Sequence, residues 1–167
     1  MTMIDVQYLK TVLNYDPKTG VFIHKTTRSP RAFPGSRAGR INTNGHRQIT
    51  IDGKHYMAHR LAWLWVYGIW PNILIDHING NRDDNRISNL RLATHKQNME
   101  NQALHCNNSS GFRGVSWHKA NKKWVAYVNH NGKRFYLGSY ETFDHAAAIV
   151  KAERDKLFTH NKTEYSA

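Results

Sequence analysis

The residues best equipped for chemistry in this 167-residue chain are Asp76, His77, Asn89 and Asn98. One carboxylate, one imidazole and two amides suffice for one hard metal ion and one general base. A divalent ion such as Mg²⁺ takes oxygen ligands, keeps several waters, and needs only one or two protein oxygens plus a substrate phosphate. The Asp76 carboxylate and the Asn98 amide oxygen can supply those two. An imidazole titrates near neutrality, so His77 can take a proton from an attacking water at working pH. The ion would meanwhile neutralise charge developing on a phosphate and its leaving oxygen. Asn89 has donors and an acceptor, and can tie down a loop and orient His77. A zinc site on His59, His77 and His95 is the weaker alternative, because these lack close ligand spacing and Cys106 is the only cysteine.

Secondary structure must bring the four together. The apolar run Ile73 to Ile75 ends in Asp76-His77 and reads as a strand. Asn79-Gly80 is a turn dipeptide and opens a polar loop rich in Asn, Asp and Arg. A second short strand follows at Asn89-Leu90-Arg91, and Thr94 can cap a helix that carries Asn98.

This segment resembles the HNH nucleases, whose site is a ββα-metal motif, and within them the phage and intron homing endonucleases. That family spaces an Asp-His pair, an Asn twelve residues on and a metal-binding His or Asn on the helix; here the steps are twelve residues from His77 to Asn89 and nine more to Asn98. The resemblance implies that Asp76 and Asn98 bind one Mg²⁺ or Mn²⁺ per site. It implies that His77 is the general base, that Asn89 positions it, and that the substrate is a DNA phosphodiester. The alternative is a DNA-binding regulator or structural binder built on a degenerate nuclease module, against which the intact set argues. With one site per chain, a monomer is expected, and it should nick.

Bulk properties agree with a polyanionic partner. Formal net charge is +12, from 24 Lys+Arg against 12 Asp+Glu, with a pI near 10.0. Double-stranded DNA fits better than a membrane, since no apolar run approaches the roughly 20 residues of a span. Met1 to Tyr8 lacks the pattern of a secretory signal, and one cysteine excludes an intramolecular disulfide framework. An intracellular, cytoplasmic protein is expected.

Ahead of the site, residues 4–13 keep helical apolar spacing, Asp16 to Gly20 is a turn, and Val21 to Lys25 is a strand. The stretch to Arg40 holds Arg28, Arg31, Arg37 and Arg40 with no acidic residue between them. It is either a solvated loop or a basic segment on the DNA backbone. Ile41 to Tyr56 reads as a β-meander with type I′ turns at Asn44-Gly45 and Asp52-Gly53. Met57 to Tyr67 reads as a largely buried helix ended by Gly68. His59-Arg60 on that helix recurs in HNH relatives; His59 is a support to the site, a phosphate contact or simply a hydrogen-bonded structural histidine.

Leu104 to Ser110 reads as a linker, placing a nuclease domain at 1–104 and a second domain at 111–167, joined by 105–110. The second domain is expected to hold strands at Gly111–Trp117, Lys123–His130 and Lys133–Tyr140, then a helix from Thr142 to about Phe158. Ala126, Val128, Phe135 and Leu137 fall on a face fit to pack on Ala146, Ile149, Val150 and Leu157 of the helix. Tyr127, Asn129, Arg134 and Tyr136 fall on the other, and such a ribbon can enter a major groove. Here the chain resembles the plant ethylene-response-factor (APETALA-type) DNA-binding domain, through Arg113-Gly114-Val115, Trp124-Val125-Ala126, Arg134, Leu137-Gly138 and the Ala-rich helix. The resemblance implies DNA contacts from Arg113, Ser116, Tyr127, Asn129, Arg134 and Tyr136. Ser116, Tyr127 and Asn129 stand where plant members often carry charge, so the plant target sequence does not carry over. The expected fold class is α+β: a β-meander and helix leading into a ββα-metal core, then a three-stranded antiparallel sheet on one helix.

Overall fold

Asp5 starts the first helix, α1 (Val6–Val12), by accepting the amides of Gln7 and Tyr8 on its carboxylate. In this computed structural model, which describes residues 4–27, 29–101, 104 and 108–160, α1 stops one residue short of the expected end. Leu13 is already extended and opens a strand, β1 (Leu13–Asp16), where the sequence pattern puts the end of a helix at Leu13 and the start of a turn at Asp16. Leu13 and Tyr15 point inward while Asn14 and Asp16 face solvent, so a period of two takes over where the helical stripe ends. β1 pairs antiparallel with β2 (Val21–His24), and the Gly20 amide closes the turn on the Asp16 carbonyl at 2.8 Å.

A three-stranded meander follows: β3 (Arg40–Ile41), β4 (Arg47–Ile51) and β5 (Lys54–Met57). Its second turn has positive φ at both Asp52 (49°) and Gly53 (73°), as a type I′ turn requires. The first turn differs from expectation, because only Gly45 has positive φ. There the Asn42 side chain accepts the amides of Asn44 and His46, each at 3.0 Å, and builds a longer loop. The chain then enters α2 (Ala58–Tyr67), which ends on Gly68 in the left-handed conformation. Leu61, Ala62 and Leu64 of α2 pack with Leu9, Leu13, Phe22 and Ile49 into one buried core. Removing the side chain of Leu61 beyond Cβ would cost about 2–5 kcal/mol at such a site.

The strands β6 (Leu74–His77) and β7 (Leu90–Ala93) form a separate antiparallel pair, followed by α3 (His95–Glu100). Thr94 and Gln97 cap each other at the start of α3. The Gln97 amide donates to Thr94 Oγ1 at 3.3 Å and the Thr94 amide to Gln97 Oε1 at 2.8 Å.

Two compact units result, Met1–Asn98 and Met99–Ala167. In the second, β8 (Val115–His118), β9 (Lys123–His130) and β10 (Lys133–Tyr140) make an antiparallel sheet in the order β10-β9-β8, packed on α4 (Phe143–Leu157). Asn131-Gly132 closes β9–β10 with both φ positive, and the Thr142 side chain caps α4 on the His145 amide. β8 begins at Val115, later than expected. The preceding residues turn instead, with Gly114 at φ +86° against the carbonyl of Tyr127, where a Cβ would collide. Ala126, Val128, Ala146 and Val150 are buried at the centre of this core, and Leu137 packs at its margin. Phe135 departs from expectation and stays 45% exposed, although it pairs with the inward-facing Val128. Leu137 keeps the inward side that alternation assigns it, and the register shifts beside it, so that Gly138 falls opposite Ala126. The architecture is mixed α+β, and no helix among the described residues is long and apolar enough to cross a membrane.

Candidate active site and metal centre

β6 carries the two residues on which the site is built. Asp76 lies opposite Arg91 and His77 opposite Leu90, and neighbours on a strand diverge to opposite faces. Asp76 is buried, and its Oδ2 accepts Arg91 Nε at 2.9 Å and pairs with Nη2 at 2.8 Å. His77 is buried on the other side of the strand, its Nε2 3.4 Å from Oδ1 of Asn85.

The loop from Ile78 to Asn89 is held at many points. Asn89 Oδ1 accepts the Asn79 amide at 3.0 Å, and its Nδ2 donates to Asn79 Oδ1 at 3.0 Å and to the Asp84 carbonyl at 2.8 Å. The Ile78 amide also reaches the Asn89 carbonyl at 2.9 Å, so Asn89 ties the loop's two ends together. Asp84 pairs with Arg86, whose guanidinium holds that carboxyl down at about 2. Arg47 grips Asp83 with two bonds, Nε–Oδ1 at 2.7 Å and Nη2–Oδ2 at 2.8 Å. Arg82 reaches back to the Asn44 carbonyl at 2.8 Å. On the inner side, the Tyr15 hydroxyl donates to the Asn85 carbonyl at 2.7 Å. Burial pushes the Tyr15 phenol far up, so it stays a donor.

Beside His77 stand His46 and His59. One ring nitrogen from each of the three lies within 4.8 Å of the others, with ring centroids 5.1–5.5 Å apart. Nδ1 of His46 and Nδ1 of His59 are buried with no hydrogen-bond partner among the described residues. Burial, then the adjacent His77 and His46 rings, lowers His59 to about 3; burial also lowers His46 and His77. Neutral imidazoles keep a lone pair, so this trio could hold a metal ion. Its nitrogen donors suit a softer ion, whereas the oxygens of Asp76 and Asn98 suit Mg²⁺ or Mn²⁺.

Asn98 lies half-buried on α3, its amide donating to the Thr94 carbonyl at 2.9 Å. His95 is exposed and is not in the trio. Arg60 donates to the Pro71 carbonyl at 3.0 Å, with its guanidinium over Trp70. Arg31, Arg37 and Arg40 line one open groove with Thr26, Gln48 and Thr50, and Arg37 also pairs with Asp83 at 3.3 Å. Arg28 lies outside the described residues, as do 105–107 of the expected linker.

In the second unit, Arg134 is stacked 4.4 Å over the Tyr127 ring, and its Nε donates to Asn129 Oδ1 at 3.2 Å. Tyr136 lies opposite Tyr127 and shares a 2.7 Å hydrogen bond with Ser139; Ser116 lies opposite Val125 on β9. Arg113 donates to the Met99 carbonyl at 3.3 Å.

Two residues of the site escape sequence reasoning, His46 and Asn85. Asn85 is one of many polar residues in its loop, and only its burial singles it out. His46 sits by a hairpin turn thirty-one residues before His77, a separation that carries no ligand signal.

A sequence model described as HNH endonuclease matches residues 56–100, which include His59, Asp76, His77, Asn89 and Asn98. Protein 3.8 of Escherichia phage T7 is 36% identical over 98 residues, covering 58% of this chain and 81% of its own length. The uncharacterized HNH endonuclease L560 of Acanthamoeba polyphaga mimivirus is 33% identical over 112 residues, 66% of this chain and 57% of that protein. DNA endonuclease I-HmuI of Bacillus phage SP01 is 41% identical over 67 residues, 37% of this chain and 38% of its own. The chain thus spans less than two thirds of these last two relatives. A solved structure titled for DNA binding and cleavage by the HNH homing endonuclease I-HmuI aligns over 93% of this chain and 87% of that one, at 23% identity and a TM-score of 0.45.

Proposed function

The chain belongs to the HNH endonuclease family, and on that premise we propose that it is a homing-type nuclease that hydrolyses DNA phosphodiesters with His77 as general base. The observation that carries this reading is the buried contact of His77 with Asn85. An amide oxygen only accepts, so on this reading the ring carries N–H at Nε2 and Nδ1 acts as the base. From there it takes the proton of a water attacking phosphorus, as the bond from phosphorus to the leaving oxygen breaks. Asn89 keeps the loop from drifting while this happens. Arg91 fixes the Asp76 carboxylate. Asp76 and Asn98 would hold one Mg²⁺ or Mn²⁺, which when bound supplies charge neutralisation at the phosphate and the leaving oxygen.

Target choice is assigned to the sheet β8–β10, acting as an ethylene-response-factor-like DNA reader. Phosphate contacts position a protein but carry little sequence information, so groove contacts must do the reading. The Arg134–Tyr127–Asn129 arrangement supports this, since the guanidinium is held flat and ready by a ring and an amide. Arg31, Arg37 and Arg40 would then bear on the backbone of double-stranded DNA, in keeping with a net charge of +12. The test is plasmid cleavage with Mg²⁺ and then with excess EDTA. Nicking that needs the ion supports the reading; DNA binding without cleavage under any divalent ion would leave a DNA-binding regulator instead.

A further inference from the structure

We propose that His46, His59 and His77 form a second ion site, for a borderline-soft divalent ion of the Zn²⁺ type, whose loading silences the nuclease. The silencing rests on the reading of His77 as general base; the site itself does not. Three imidazole nitrogens within 4.8 Å of one another are the donor set of an open zinc site, which takes three protein ligands and a water. His59 is 8% exposed, and its Nδ1 and that of His46 are buried without a hydrogen-bond partner among the described residues. Buried polar atoms are nearly always partnered, so two orphaned nitrogens in one cluster point to a ligand that completes them. Mg²⁺ is a poor candidate, because it takes oxygen and sheds its water reluctantly.

Zinc lies about 2.0–2.1 Å from each imidazole nitrogen, so loading must draw the three rings closer together. His46 is the least enclosed of the three ligands. It is only half-buried and follows a hairpin loop, whereas His59 is fixed in α2 and His77 in β6. The surrounding charge is mixed, with Arg60 and Arg82 opposing the ion and Asp76 and Asp84 favouring it. Coordination to His77 occupies the lone pair that would receive the proton of water, and the trio uses no oxygen of Asp76 or Asn98.

The experiment uses the full chain stripped of metal and titrated with Co²⁺ as a visible probe, then with Zn²⁺. Wild type should give the intense absorption of tetrahedral Co²⁺ at one ion per chain, displaced by Zn²⁺. His46→Gln, checked for folding by circular dichroism, should lose that absorption. It should weaken Zn²⁺ by at least the about 10–100-fold that loss of an outer partner costs. Mg²⁺-driven cleavage should fall with stoichiometric Zn²⁺ in wild type, while the ratio with and without Zn²⁺ should return towards one in His46→Gln. A His46→Gln chain that binds Zn²⁺ as tightly as wild type overturns the site, as does a wild-type Co²⁺ spectrum that stays pale and octahedral. Normal Mg²⁺ cleavage beside either result leaves the nuclease reading standing. Binding that depends on His46 but leaves cleavage untouched supports the site and removes His77 as the base.

Discussion

Asn85 Oδ1 lies 3.4 Å from His77 Nε2, between two side chains that are 1% and 4% exposed. The same Asn85 takes the Tyr15 hydroxyl on its carbonyl, so β1 reaches the imidazole through one intermediate residue. A distant hairpin thereby steadies the residue that His77 faces.

His77→Ala should lower the single-turnover cleavage rate by about 10²–10⁴-fold, the usual contribution of a general base, with DNA affinity near wild type. Asp76→Ala should lose the metal-dependent part of the rate. Asn85→Ala should cost part of the His77 effect, in rate and not in binding, because it frees the tautomer without removing the base. Full turnover by His77→Ala across pH would remove that residue from the mechanism.

Acid should destabilise the fold through the histidine trio. His59 titrates at about 3 when folded, below the ordinary value of about 6.5. Between those values the unfolded chain binds more protons, so the His59 contribution is complete above about 6.5 and is lost as pH falls towards 3. The slope from one such group reaches about 1.4 kcal/mol per pH unit at most. Urea unfolding of wild type and His59→Gln from neutral to acid pH checks this. The variant should lose stability less steeply, and parallel curves would refute it.

Gly20 and Gly53 share φ +73° but not their surroundings. A Cβ on Gly20 would strike the Arg86 amide nitrogen and lie 2.5 Å from the Asn85 carbonyl carbon, while Gly53 has nothing within 4 Å. Gly53→Ala should cost about 1–2 kcal/mol in backbone strain. Gly20→Ala should cost more and should also slow cleavage, because it displaces Asn85. Equal losses of Tm with unchanged cleavage would deny that this turn supports the site. Tyr15→Phe should cost about 1 kcal/mol through the lost hydrogen bond.

Arg134→Ala should weaken a cognate duplex by about 1–3 kcal/mol if the guanidinium reads a guanine edge. Tyr127→Ala should reproduce part of that loss, since the ring holds the guanidinium. Binding of cognate and random duplexes over a salt series separates the possibilities. Equal weakening of both, with a shallower salt dependence, would make Arg134 a phosphate contact.

Local pattern alone determined much of this protein. The spacing of Asp76, His77, Asn89 and Asn98, the Thr94 cap and the Asn131-Gly132 hairpin are legible because turns, caps and strand alternation depend on residues a few positions apart. At Leu13 a helical stripe and a strand alternation overlap, and the partner strand β2 decides between them. Phe135 stays exposed opposite the buried Val128, and the register shifts beside Leu137, two features that alternation does not encode. The histidine trio is the clearest case. His46, His59 and His77 come from a hairpin, a helix and a strand, and their meeting depends on packing the meander and α2 against β6. Proximity between elements distant in sequence is a property of the core that joins them, so only the tertiary structure could place His46 beside His77, and only burial picks Asn85 out of its polar loop.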